Sequence, residues 1–169
     1  MASLASMPPI VIDQQELAQF GITWQANGER LSRTPPRSSG ELGKLFDVAV
    51  GNALAAMLGG IPIITPSSTA LIPTQSDCVE VGLVRVIGGV RPQNFDAGYR
   101  PDGIRFAFDS KTLNDRESVG KNWQNMINDL ATEATTVHSR FPPCRRCFSC
   151  CLPLSMCVSF FTQSNHRNT

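Results

Sequence analysis

The stretch RPDGIRFAFDSK, residues 100–111, constrains the fold more than any other part of the chain. Asp102-Gly103 is among the strongest two-residue hairpin signals, because a type I′ turn needs positive φ at both central positions. After it, Ile104, Phe106 and Phe108 alternate with Arg105, Ala107 and Asp109, which is the period of a strand with one apolar face. A turn at 102–103 pairs Pro101 with Ile104, Arg100 with Arg105 and Tyr99 with Phe106, and in a regular ladder Asp96 then lies opposite Asp109. Opposed residues share a face, with Cβ atoms ~5 Å apart. Lys111 projects to the same side as Asp109.

The rest of the chain is organised around this hairpin. Ser32 to Gly40 (SRTPPRSSG) is a Pro/Ser-rich connector. From Glu41 to Leu58, apolar residues at Leu42, Leu45, Phe46, Ala49, Ala53, Ala56 and Met57 predict an amphipathic helix that Gly59-Gly60 ends. Residues 61–77 read as an irregular loop, and Val79 to Ile87 (VEVGLVRVI) as a strand. Asn114 to Glu117 fits a capping box, followed by a second amphipathic helix with Trp123, Met126, Ile127, Leu130, Ala131 and Ala134 on its apolar face.

Two carboxylates beside an ammonium suit metal-assisted phosphodiester hydrolysis. Hard oxygen ligands favour Mg²⁺, and a lysine can orient water or stabilise the charge that develops on the phosphate. Asp109-Ser110-Lys111, on a strand between two helices, resembles the motif of the PD-(D/E)XK nucleases over roughly residues 38–141. The resemblance implies an α/β, three-layer, restriction-endonuclease-like αβββαβ core. It also implies a Mg²⁺-dependent endodeoxyribonuclease of type II restriction endonuclease-like activity, acting on DNA in the cytoplasm. Asp96 and Asp109 would hold the metal with the Ser110 carbonyl, Lys111 would position water, and a glutamate of the opening helix, Glu41, would assist.

Competing readings stand beside these. Asp102 is the Pro-Asp nearest the motif, but on a continuous strand it would lie ~20 Å from Asp109; a bulge or longer loop would be needed to bring it back. Glu41 follows Ser38 at capping-box spacing, where a glutamate satisfies backbone donors only. Lys121, Gln124 and Arg105 are candidate DNA contacts or plain surface residues, and His138 is read as an exposed loop residue. A non-catalytic DNA-binding or interaction protein with the same fold is the alternative function.

The 169 residues fit one domain, divided into an N-terminal segment (1–37), a nuclease-like core (38–143) and a tail (144–169). Fifteen Lys and Arg against fourteen Asp and Glu neither favour nor exclude nucleic acid, since a local patch decides binding. No secretory signal or apolar run of ~18 residues is present, so no membrane is expected; DNA is the implied partner, and a homodimer is left open.

Five of six cysteines crowd into the tail, CRRCFSCCLPLSMCVSFFTQSNHRNT. Their spacing fits neither paired zinc dyads nor a ferredoxin-type run. Back-translated through the genetic code and read one base later, Pro143 to Cys151 would encode mostly valine and alanine, a strand-like run where the core needs its last strand; the other shifted frame also gives an apolar run. A frameshift near Pro142-Pro143 is therefore the expectation, leaving the core truncated at the C-terminus, with both an active and an inactive chain left open.

Overall fold

The computed structural model describes residues 9–67, 69–112 and 115–141. Asp13 accepts hydrogen bonds from the backbone N–H groups of Gln15 and Glu16 (2.9 and 3.0 Å), capping a helix, α1 (Gln14–Ala26), in a segment to which the sequence pattern assigned no element. The helix packs Phe20, with Leu17 and Trp24, against Leu42 and Phe46 of the next helix, α2 (Ser39–Met57).

α2 buries a stripe that coincides only in part with the expected one. Leu42, Phe46 and Ala49 are inside as expected, joined by Gly43, Asp47, Val50, Gly51, Leu54 and Ala55, whereas Ala56 and Met57 are exposed. Two glycines and an aspartate, invisible to an apolar count, lie on the buried face. Gly51 explains the choice: a Cβ there would collide with Val81 Cγ2, so the bare backbone lets the helix lie close on the sheet. Gly51→Ala is expected to cost about 1–3 kcal/mol through overpacking, read as a lower urea midpoint.

Among the described residues the sheet has four strands in the order β1 (Ile63–Ile64), β2 (Val79–Ile87), β3 (Pro92–Tyr99) and β4 (Phe106–Phe108). β1 runs parallel to β2, and the other neighbours are antiparallel. β2 has the expected bounds, whereas β1 falls inside the stretch expected to be loop. Between β3 and β4, Tyr99 pairs with Phe106, Gly98 with Ala107 and Ala97 with Phe108, the predicted register. The turn differs: six residues separate the paired strands, and of Asp102 and Gly103 only the glycine has positive φ (121°), so it is no type I′ turn.

The β2–β3 ladder is irregular opposite Asp96. Val81 pairs with Ala97 but Val84 with Phe95, so two residues of β2, including Gly82 at φ 127°, oppose that single residue. Such a β-bulge bends the strand and re-aims the side chains beside it.

A 3₁₀ turn (Arg116–Ser118) precedes α3 (Val119–His138). Asp115 accepts from the Glu117 N–H (2.9 Å), and the expected cap residue Asn114 lies outside the described residues. α2 packs on Val79, Ala97, Phe106 and Phe108, while Val137 of α3 joins Val84, Val86, Phe95 and Ile104, with Ala107 against them. Because Ala107 alternates with Phe106 and Phe108, the two helices cover opposite faces of the sheet.

α3 turns a different face inward than its apolar stripe predicts. Glu133, Thr136 and Val137 are buried, whereas Trp123 and Ile127 stay about half exposed, at 47% and 49%. Close packing fixes this: the Gly89 N–H donates to the Thr136 carbonyl (2.8 Å), and Gly88 abuts the Thr136 side chain. His138 ends the helix, half buried, and is not an exposed loop residue. Among the described residues no helix is long and apolar enough to cross a membrane. The tail and the strand expected after α3 lie outside the described residues.

Candidate active site

β4 is the last strand of the sheet among the described residues, and just past its end the chain carries Asp109-Ser110-Lys111. The contacts of this segment divide between α2 and α3. Ser110 faces α2, where a Cβ on Gly43 would stand 3.3 Å from its Oγ; Lys111 forms ion pairs with Asp109 and, at 2.9 Å, with Glu133 of α3.

Asp96 and Asp109 lie one step beyond the last pair of the β3–β4 ladder, as the hairpin count required. Asp96 is fixed by Ser110, whose backbone N–H and hydroxyl both donate to its Oδ2 (2.7 and 2.9 Å). The bulge opposite Asp96 is the backbone feature that sets this aim. Beyond the carbonyl expected of it as a ligand, Ser110 supplies two donors that orient Asp96.

Asp47 escaped the sequence pattern. It sits on the buried face of α2, one turn beyond Gly43, 7% exposed, and its Oδ1 has no hydrogen-bond partner among the described residues. Burial raises its pKa to about 7, the Asp96 charge adds to the rise, and the Ser110 hydroxyl and Lys44 pull it back. Asp109 is likewise raised to about 7, by burial first and then by Asp96 and Glu133 against the pull of Lys111. Burial works against the Lys111 charge, but Asp109 and Glu133 outweigh it and push its pKa above the usual lysine value. Lys111 therefore stays a cation and cannot serve as a general base at neutral pH.

Glu41 is not brought to this cluster by any contact. Its carboxylate accepts from the Ser38 backbone N–H (2.7 Å), and the Ser38 hydroxyl accepts from the Glu41 N–H, closing a capping box at the start of α2. The reason is helical geometry: six residues place Asp47 ~9 Å along the axis and ~240° around it, on the sheet side. Asp102 is also elsewhere. It is exposed and paired with Arg105, whose Nε donates to it at 2.7 Å, and that hydrogen bond lowers its pKa. Gln124 is exposed; the Lys121 side chain lies outside what is described.

Beside Lys111 opens a cleft of ≈890 Å³ between the segment after α1 and the outer face of α3. Arg30, Arg33, Ser110, Lys111, Asn122 and Asn125 are among its lining residues. No three His, Cys, Asp or Glu side chains among the described residues are grouped to hold a metal ion. The carboxylates are of the hard-oxygen type that a cation such as Mg²⁺ takes: the Asp96 charge bears on Asp47 and, separately, on Asp109, and Asp47 has an orphaned buried oxygen.

These shifts fix a pH dependence. In the folded chain Asp47 keeps its proton up to about 7, against 3.8 for an ordinary aspartate, so the unfolded state binds fewer protons between those values. The contribution of Asp47 to the stability of metal-free protein is then fully present below about 4, falls as pH rises from about 4 to about 7, and is flat beyond. Asp47→Asn is expected to flatten the profile and to gain about 1–3 kcal/mol at pH 8, measured by urea unfolding in EDTA.

No protein-family model matches the chain, and no curated protein or solved structure matches it.

Proposed function

We propose that the chain is a Mg²⁺-dependent endodeoxyribonuclease of restriction-endonuclease-like fold, acting on DNA in the cytoplasm. The observation that carries this reading is the placement, one step past the paired part of β3 and β4, of Asp96, held by Ser110, and of Asp109, ion-paired with Lys111. In support, the antiparallel strands β2, β3 and β4 stand between helices α2 and α3 as the αβββαβ core asks, with β1, parallel to β2, as an additional strand after α2.

Asp96 and Asp109, with the Ser110 carbonyl, would hold Mg²⁺, and Asp47 takes the supporting place that the family pattern assigned to Glu41. A cation held by these residues would supply Lewis acidity toward the scissile phosphate and the attacking water. Ser110 keeps Asp96 aimed through two hydrogen bonds. Lys111 holds positive charge where the phosphate gains negative charge, an interaction strengthened by partial burial. Arg33, on the cleft wall, would supply charge for a neighbouring phosphate, whereas Arg30 there is paired with Asp115 at 4.0 Å, and Asp129 also lines the wall.

The test is nicking of supercoiled plasmid by wild type, Asp109→Ala and Lys111→Ala, each with Mg²⁺ and with EDTA. Wild-type cleavage that needs the metal and disappears in both variants is expected. Cleavage surviving both substitutions sinks the assignment. Specific DNA binding without cleavage would instead favour a non-catalytic DNA-binding protein built on the same frame.

A further inference from the structure

Glu133 is a buried acid that the proposed chemistry does not use. It is 6% exposed, and its Oε1 accepts from Lys111 Nζ at 2.9 Å and from Gln93 Nε2 at 3.2 Å. We propose that Glu133 of α3 is a positioning residue for Lys111, itself held in place by Gln93 of β3. The proposal rests on the nuclease reading and adds to it the device that aims its lysine.

A lysine is a point charge on a flexible four-carbon stem, with three donors that rotate freely. One carboxylate partner, Asp109, would leave the ammonium free to swing about that contact. With Asp109 and Glu133 both engaged, two donors are committed and the direction of the third is set. The third donor is then available to a water or phosphate oxygen.

Glu133 does not line the cleft beside Lys111, so it acts through the lysine and touches no substrate. Its placement is otherwise uneconomical. A buried carboxylate is costly unless paired, and the apolar stripe of the same helix, with Trp123 and Ile127, stays exposed while Glu133 goes inside. Gln93 occupies one lobe of Oε1 and keeps the glutamate from following the lysine outward. The three residues come from β3, the segment after β4, and α3, so the contact also ties the helix to the site.

Two measurements on the full chain, with Glu133→Ala and Glu133→Gln, test this role. The first is kcat and KM for a short DNA duplex in Mg²⁺; the second is the ¹H–¹⁵N signal of the Lys111 ammonium, which is visible when its protons exchange slowly. Glu133→Ala is expected to lower kcat about 10- to 100-fold with KM within about twofold, and to abolish the ammonium signal. Glu133→Gln keeps a carbonyl acceptor and is expected to restore most of both, which also guards against loss of folding in the alanine variant. An unchanged kcat, an effect confined to KM, or an ammonium signal indifferent to Glu133 overturns the role. A wild type that cleaves no DNA, yet shows an ammonium signal dependent on Glu133, overturns the nuclease reading and the catalytic purpose of the contact together.

Discussion

Asp109→Asn is expected to lower Mg²⁺-dependent DNA cleavage by roughly 10³-fold or more while making the metal-free protein more stable at pH 8. The two effects have one cause. Burial, with Asp96 and Glu133 nearby, raises the Asp109 pKa to about 7, so above that pH the folded chain carries a charge that the unfolded chain would solvate better. An asparagine keeps the shape and removes that charge, for a gain of about 1–2 kcal/mol after allowing for the lost Lys111 contact. Lys111 keeps Glu133 as a partner, so the substitution does not strand it. An aspartate that only supported the fold would behave oppositely: its replacement would reduce stability and leave any activity near that of wild type. Urea unfolding in EDTA and cleavage rates in Mg²⁺, taken on the same preparations, separate the two cases.

Arg100→Ala is expected to have the largest effect on folding, about 3–5 kcal/mol by urea denaturation. Arg100 is 5% exposed and Glu80 1%, and the pair is bidentate, with Nε and Nη2 donating to the two Glu80 oxygens at 2.5 and 2.9 Å. The guanidinium also donates to the carbonyls of Arg85 (2.6 Å), Leu71 (2.9 Å) and Ala70 (3.3 Å), so it fastens the long segment before β2 to the sheet. Removing it leaves a carboxylate and three carbonyls short of donors, which costs far more than the pair contributes over an apolar replacement. Changing Glu80 and Arg100 together to apolar residues is therefore expected to cost less than the sum of the single changes. A loss in Arg100→Ala no larger than that of an exposed pair such as Arg105 with Asp102 would contradict this account.

Where local pattern and tertiary structure ask for the same residues, the sequence was readable. VEVGLVRVI marks β2 by its β-branched content, and the alternation of Ile104, Phe106 and Phe108 placed β4 in register with β3. That register survives although the turn is longer than the Asp102-Gly103 signal suggested, because the pairing of apolar faces, and not the turn type, decides it. α1 was missed even though Asp13 and Glu16 stand at capping-box spacing before Leu17, Phe20 and Trp24. Asp47 was hidden for a different reason: hydrophobic periodicity scores an acid as exposed, and only the approach of Ser110 to Gly43 turns that face of α2 into part of a site. Glu133 was concealed in the same way, since its partners lie 22 and 40 residues away in the chain.

The central claim is that Asp96 and Asp109 meet at one cation while Asp102 serves the turn. Calorimetric titration of Mn²⁺ or Mg²⁺ into wild type, Asp96→Asn, Asp109→Asn and Asp102→Asn measures this directly. One cation per chain is expected, bound at least about tenfold more weakly by the first two variants and with wild-type affinity by Asp102→Asn. Binding that is indifferent to Asp96, or that is lost with Asp102, would contradict the account.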